Sequence, residues 1–193
     1  MKKLEERIKK EAKVLPGNII KVDGFMNHRV DTAFLGELAD EFAKVFDLSD
    51  ITMVLTAEAS GIPIGSICAL KFGVPLVFAK KAKSDNIEGG LFKSEIISYT
   101  YKKSVTLLVS KEWISKDEKI LIIDDFLAHG EALGGLIDIV EQSGAELKGI
   151  GVCIEKGFQG GGDKLRAKGY DLKSLAIIEK AEPGCIEFRE LDY

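Results

Sequence analysis

The spacing of apolar positions divides the chain into alternating helical and extended segments. Residues 1 to 13 are charged except for Leu4 and Ile8 at i, i+4, which predicts a peripheral amphipathic helix ending before Pro16-Gly17. Asp31 has N-cap chemistry and opens a second helix with Phe34, Leu35, Leu38, Phe42, Val45 and Phe46 on one stripe, a core face. Ile51 to Leu55 reads as a buried strand, Pro63 and Gly73 bracket a helix from about Ile62, and Val74 to Phe78 reads as the next strand. Lys80 to Lys93 turns polar and predicts a working loop; the alternating stretches Glu95 to Tyr101 and Val105 to Val109 predict a hairpin that covers or extends it. A regular order then returns: strand Lys119 to Ile123, helix Glu131 to Gln142 with Gly144 as its stop, strand Gly149 to Glu155, short helix Asp163 to Lys168 and strand Ser174 to Ile178. Continuous apolar strands separated by helices predict an α/β fold with a central, mostly parallel sheet flanked by helices.

Composition sharpens this without redirecting it. The 193 residues, 46% hydrophobic and 30% charged, suffice for one domain with a sizeable core and exclude general disorder. A net charge of -4 argues against nonspecific coating of nucleic acid. No apolar run reaches membrane-spanning length, and the charged start lacks the apolar stretch of a signal peptide, so a cytoplasmic address and no membrane partner are expected. Cys68, Cys153 and Cys185 are far apart and are expected to be buried, reduced thiols. With only His28 and His129, an imidazole cluster is not expected, and any metal should be bound by oxygen atoms.

The most informative segment is Ile120-Leu-Ile-Ile-Asp-Asp-Phe-Leu-Ala-His-Gly-Glu-Ala132. Four branched aliphatics lead to Asp124 and Asp125, then small residues and a helix. Ligands of open α/β sheets bind beyond the carboxyl ends of strands. Two carboxylates there can accept hydrogen bonds from vicinal hydroxyls, while backbone N–H groups at the following helix N-terminus can hold an anion. A sugar phosphate satisfies both halves. The bland alternative is a strand that ends in solvent with two acids. Thr56-Ala-Glu-Ala-Ser-Gly-Ile62 is a second loop entering a helix, where Ser60 and Gly61 can offer donors to another anion.

The aliphatic strand, acid pair and glycine loop resemble the phosphoribosyl diphosphate signature of type I phosphoribosyltransferases. Lys21-Val-Asp-Gly-Phe-Met-Asn-His28, Gly73-Val-Pro-Leu-Val-Phe-Ala79, Gly149-Ile-Gly-Val-Cys-Ile-Glu-Lys-Gly-Phe-Gln159 and Gly169-Tyr-Asp-Leu-Lys-Ser-Leu-Ala176 extend the likeness over most of the chain, to the xanthine-using branch of the purine members. The resemblance implies a type I phosphoribosyltransferase fold in one domain: a core over about residues 31–180, a hood from about residues 1–30 plus the C-terminal segment, and a flexible β-hairpin loop. It implies purine salvage, with transfer of 5-phosphoribosyl from its diphosphate to N9 of xanthine, releasing diphosphate and forming xanthosine 5′-monophosphate.

The resemblance places Asp124 and Asp125 on the ribose as catalytic residues, and Ala128, His129, Gly130, Glu131 and Ala132 around the phosphate of the donor. It places Glu58, Ala59, Ser60 and Gly61 in the pyrophosphate loop, which in the family often holds a non-proline cis peptide. Lys80 and Lys81, with Lys83, head the mobile loop and are candidates to neutralise diphosphate. Ile20, Asn27 and Lys156 fall on base-contacting positions, and Phe158 is a candidate to stack on the base, with ordinary packing as its alternative. Magnesium held mainly through the diphosphate, a homodimer, small-molecule substrates only and no resident metal site are also implied. The sequence departs from the branch at His129 and Glu131, where a carboxylate meets a phosphate site, and at Ile20, where leucine is common. Hypoxanthine or guanine as acceptor, and a noncatalytic sensor of phosphoribosyl diphosphate with the same fold, are the competing readings.

Overall fold

The computed structural model describes residues 1–81, 90–98 and 103–191. Among the described residues there are three sheets: a six-stranded central sheet and two two-stranded ribbons. The N-terminal segment supplies α1 (Lys2–Glu11) and the ribbon β1 (Lys13–Leu15) with β2 (Ile19–Lys21), turned by Gly17 and Asn18 at positive φ. Helix α2 (Thr32–Val45) follows, and Asp31 caps it by accepting the Phe34 N–H at 3.1 Å. The core then alternates β3 (Met53–Ala57), α3 (Gly61–Phe72) and β4 (Leu76–Ala79), with Gly73 left-handed at the end of α3. Pro63 sits in the first turn of α3, where its missing N–H costs nothing.

The second ribbon pairs β5 (Leu91–Ser98) with β6 (Lys103–Ser110), so the expected hairpin is present and starts inside the stretch read as loop. Residues 82–89 and 99–102, which hold Lys83 and parts of the expected loop and hairpin, lie outside the described residues. β7 (Lys119–Leu127), α4 (Glu131–Ser143), β8 (Glu146–Lys156), a 3₁₀ turn (Gly157–Gln159), α5 (Gly161–Ala167), β9 (Leu172–Glu182) and β10 (Cys185–Phe188) complete the chain. β10 was not anticipated; it returns antiparallel on the edge of an otherwise parallel sheet.

The strand order is β10-β9-β8-β7-β3-β4. From β3 the chain steps outward to β4, and the later strands β7 to β10 fill the opposite side, so the order reverses between β3 and β7. That reversal is where an open α/β sheet leaves a crevice. Two apolar clusters cover the faces: one joins α1, the 19–26 segment, α2 and α3 through Leu4, Ile8, Phe25, Leu38 and Phe42; the other packs α4 through Leu133, Leu136 and Val140. Cys68 and Cys153 are buried as expected, whereas Cys185 is exposed because it opens the edge strand β10.

Candidate functional site

β7 is longer than its aliphatic run suggests, and the acids lie within it. Its ladder with β3 stops at Leu55 and Ile122, while its ladder with β8 continues through Asp124, Phe126 and Leu127. β3 and β7 therefore part just before Asp124. A cavity of about 270 Å³ opens between them, lined by Ala57 and Ser60 from one side, Asp124, Asp125 and Phe126 from the other, and Ile20, Asn27, Lys81, Ala132 and Lys156 around the rim.

Asp124 and Asp125 are 5% and 3% exposed, and neither forms an ion pair among the described residues. Asp125 accepts the Asn27 amide at 2.8 Å and the Ser60 hydroxyl at 2.9 Å, and its own N–H donates to Asp124 Oδ1 at 3.0 Å. Burial, and then the neighbouring Asp125 charge, hold the Asp124 carboxyl well above the usual carboxylate range, against a smaller opposing pull from Lys81. Lys156 has its ammonium pushed down by burial; it donates to the Asn18 carbonyl at 3.1 Å and stands 5.7 Å from the Phe126 ring centre.

Two helix N-termini open at the same cavity. The residue before α3 is Ser60, whose hydroxyl serves Asp125 instead of capping the helix. Gly130, left-handed at φ 97°, precedes α4, again with no side-chain cap. N–H groups of both first turns are thus left for a ligand, and the helix dipoles favour an anion at each. Glycine is required at position 61, because a Cβ there would lie 2.1 Å from Thr56 Oγ1 and 2.5 Å from Asp124 Oδ1. Thr56 Oγ1 is buried without a hydrogen-bond partner among the described residues.

Of the residues expected at the site, Ile20, Asn27, Ser60, Lys81, Asp124, Asp125, Ala132 and Lys156 line the cavity, although Asn27 and Lys156 are far from the acids in sequence. Ala128, His129, Gly130 and Glu131 form the turn that enters α4 beside it. The peptide bond Glu58–Ala59 is cis. Glu58 itself does not line the cavity; its carboxylate accepts the Lys81 N–H at 2.5 Å and so ties Lys81 to this loop, while the Lys80 backbone bridges to Leu108 on β6. Phe126 and Phe158 both pack against the core cluster, and Phe126 also lines the cavity. Phe126 follows Asp124 by two residues on β7, and that spacing is the signal the sequence offers for it.

A second acidic group was missed. Glu155 is fully buried under α5, where Arg166 grips it with both guanidinium nitrogens at 3.1 and 2.6 Å and Ser174 donates at 2.5 Å. Among the described residues no group of three or more His, Cys, Asp or Glu side chains is arranged to hold a metal ion.

The phosphoribosyl transferase domain family matches residues 32–186. The chain belongs to that family. Among curated proteins it is 50% identical over 190 residues to the xanthine phosphoribosyltransferase of Ruminiclostridium cellulolyticum, covering 98% of this chain and 100% of that one. It is also 50% identical over 188 residues to the enzyme of the same name from Heliobacterium modesticaldum, covering 97% and 100%. Among solved structures, the adenine phosphoribosyltransferase of Giardia lamblia complexed with 9-deazaadenine superposes with a TM-score of 0.75 at 24% identity, covering 92% of this chain and 98% of that one. The Saccharomyces cerevisiae enzyme gives 0.74 at 23%, covering 91% and 99%. These likenesses establish the fold of this phosphoribosyltransferase as the type I architecture. No helix among the described residues is long and apolar enough to cross a membrane.

Proposed function

We propose that the chain is a purine salvage enzyme that transfers the 5-phosphoribosyl group from its 1-diphosphate to N9 of xanthine, giving xanthosine 5′-monophosphate and diphosphate. The supporting observation is the convergence of two uncapped helix N-termini on a buried acid pair, beside an amide and an ammonium from elsewhere in the chain. Near-full-length relatives at 50% identity carry the same reaction in their name.

In this reading the turn that enters α4, residues 128 to 132, holds the 5′-phosphate through backbone N–H groups, and the start of α3 with Lys81 faces the diphosphate. Asp124 and Asp125 accept the ribose hydroxyls and face the cationic charge that grows on the ribose as diphosphate departs. Holding both reactants in line accounts for up to ~7 to 11 kcal/mol of barrier. Glu131 sits in the first turn of α4, where the dipole favours a carboxylate even beside a phosphate site.

The base lies toward the rim. Lys156 donates to O6; the Asn27 amide nitrogen, with one N–H on Asp125, offers its other N–H to O2. Phe126, which lines the cavity with its ring centre 5.7 Å from the Lys156 ammonium, supplies the aromatic surface beside the base. Adenine places an amine against the Lys156 ammonium and is rejected. Among the described residues no cluster of three or more His, Cys, Asp or Glu side chains would hold a metal by itself, so magnesium would be held mainly by the diphosphate and ribose oxygens beside Asp124 and Asp125. Bound in that way, magnesium supplies charge neutralisation of the leaving diphosphate. The proposal includes a homodimer in the cytoplasm.

The test mixes the protein with magnesium, phosphoribosyl diphosphate and each purine in turn, following absorbance. Xanthine is converted and adenine is not. Turnover of adenine alone overturns the acceptor assignment, preferential use of guanine or hypoxanthine reassigns it, and binding of the donor with no turnover of any base identifies a sensor.

A further inference from the structure

The helix α5 touches two things at once through its first two residues. A Cβ on Gly161 would lie 2.3 Å from the Ala128 carbonyl oxygen, 2.6 Å from the His129 carbonyl carbon and 2.9 Å from the Gly130 nitrogen, all backbone of the turn that enters α4. A Cβ on Gly162 would lie 2.0 Å from Glu155 Oε1 and 2.6 Å from Oε2. Neither glycine has positive φ, so backbone conformation does not call for them; close approach does. Glu155 is in turn immobilised by Arg166 and Ser174, the second of these on β9. Arg166 also reaches Asp163 at 3.4 Å, and Asp163 takes both terminal nitrogens of Arg189 at 2.7 and 3.1 Å. The chain of contacts thus runs from a fixed buried carboxylate, through a spacer two residues thick, to the back of the 128–130 turn.

We infer that Glu155 is a positioning residue for the phosphate turn: clamped by Arg166, it sets how far the Gly161-Gly162 spacer presses on residues 128–130, and hence the aim of the α4 N–H groups. The inference rests on the assignment of that turn to the 5′-phosphate. Lys156, although adjacent, has its own ladder pairing with Ile178 and donates to the Asn18 carbonyl, and neither contact passes through the Glu155 side chain, so the base end is spared.

The experiment is steady-state kinetics on the full chain, varying donor and xanthine separately, for the wild type, Gly161→Ala, the isosteric Glu155→Gln and Arg166→Lys. A turn displaced by a fraction of an ångström raises the KM for phosphoribosyl diphosphate about tenfold in Gly161→Ala and about threefold in the other two. The KM for xanthine and inhibition by diphosphate, which bind elsewhere, stay within twofold of the wild type. Where Gly161→Ala does not fold, Glu155→Gln decides. Unchanged donor KM, or both KM values rising together, overturns the inference. A wild-type protein that converts no purine at all defeats instead the assignment on which it rests.

Discussion

Neighbouring strands β7 and β8 each carry buried acid near their carboxyl ends, and the two are treated in opposite ways. On β8, Glu155 is matched by the Arg166 guanidinium and the Ser174 hydroxyl, so its charge is satisfied inside the protein. On β7, Asp124 and Asp125 stand side by side with polar partners but no paired cation among the described residues, and burial with mutual repulsion pushes the Asp124 carboxyl up. A closed pair spends its interactions on holding secondary structure together. An open pair keeps them for a ligand that brings hydroxyl groups or positive charge, at a cost in stability that the fold must absorb.

The sharpest way to break this contrast is to neutralise the open pair. Asp124→Asn combined with Asp125→Asn is expected to lower turnover by on the order of 10³-fold or more while circular dichroism stays as in the wild type; retained activity would show that the ribose is held elsewhere. Next in size is the closed pair. Arg166→Ala leaves Glu155 buried without its cation and is expected to cost about 3 kcal/mol in urea unfolding, the low end for a broken buried pair because Arg166 is 28% exposed. An unshifted midpoint would mean that Glu155 is satisfied without it.

The smallest effect has the opposite sign. A carboxyl whose pKa is raised on folding takes up protons more readily folded than unfolded; its ionised form therefore costs stability at neutral pH, and the cost fades as pH falls through the raised value toward the ordinary 3.8. Asp124→Asn removes that cost, so it is expected to gain about 0.5 to 2 kcal/mol at pH 7. Melting temperatures across pH check this. A gain that does not shrink in acid would place its origin outside the Asp124 charge.

Much of the site was legible because its parts are local. A strand, two acids, a glycine turn and a helix follow one another within Ile120 to Ala132, and backbone geometry leaves few ways to arrange them. The parts that were not legible are those whose position depends on a partner. Phe126, not Phe158, lines the cavity, and the Glu58 carboxylate accepts the Lys81 N–H; both arrangements depend on segments apart in the chain. Nothing near Glu155 in sequence foretells Arg166 on α5 or the strand β9 that brings Ser174.

What the amino-acid order determined by itself were the elements and their chemistry: the period of apolar residues sets helix and strand, and the acids and glycines are in place before the chain folds. The tertiary structure decided which acids would face a ligand and which would be neutralised. That choice follows from where β3 and β7 part and where α5 lands, and both are set by packing between segments distant in the chain, where no local pattern reaches.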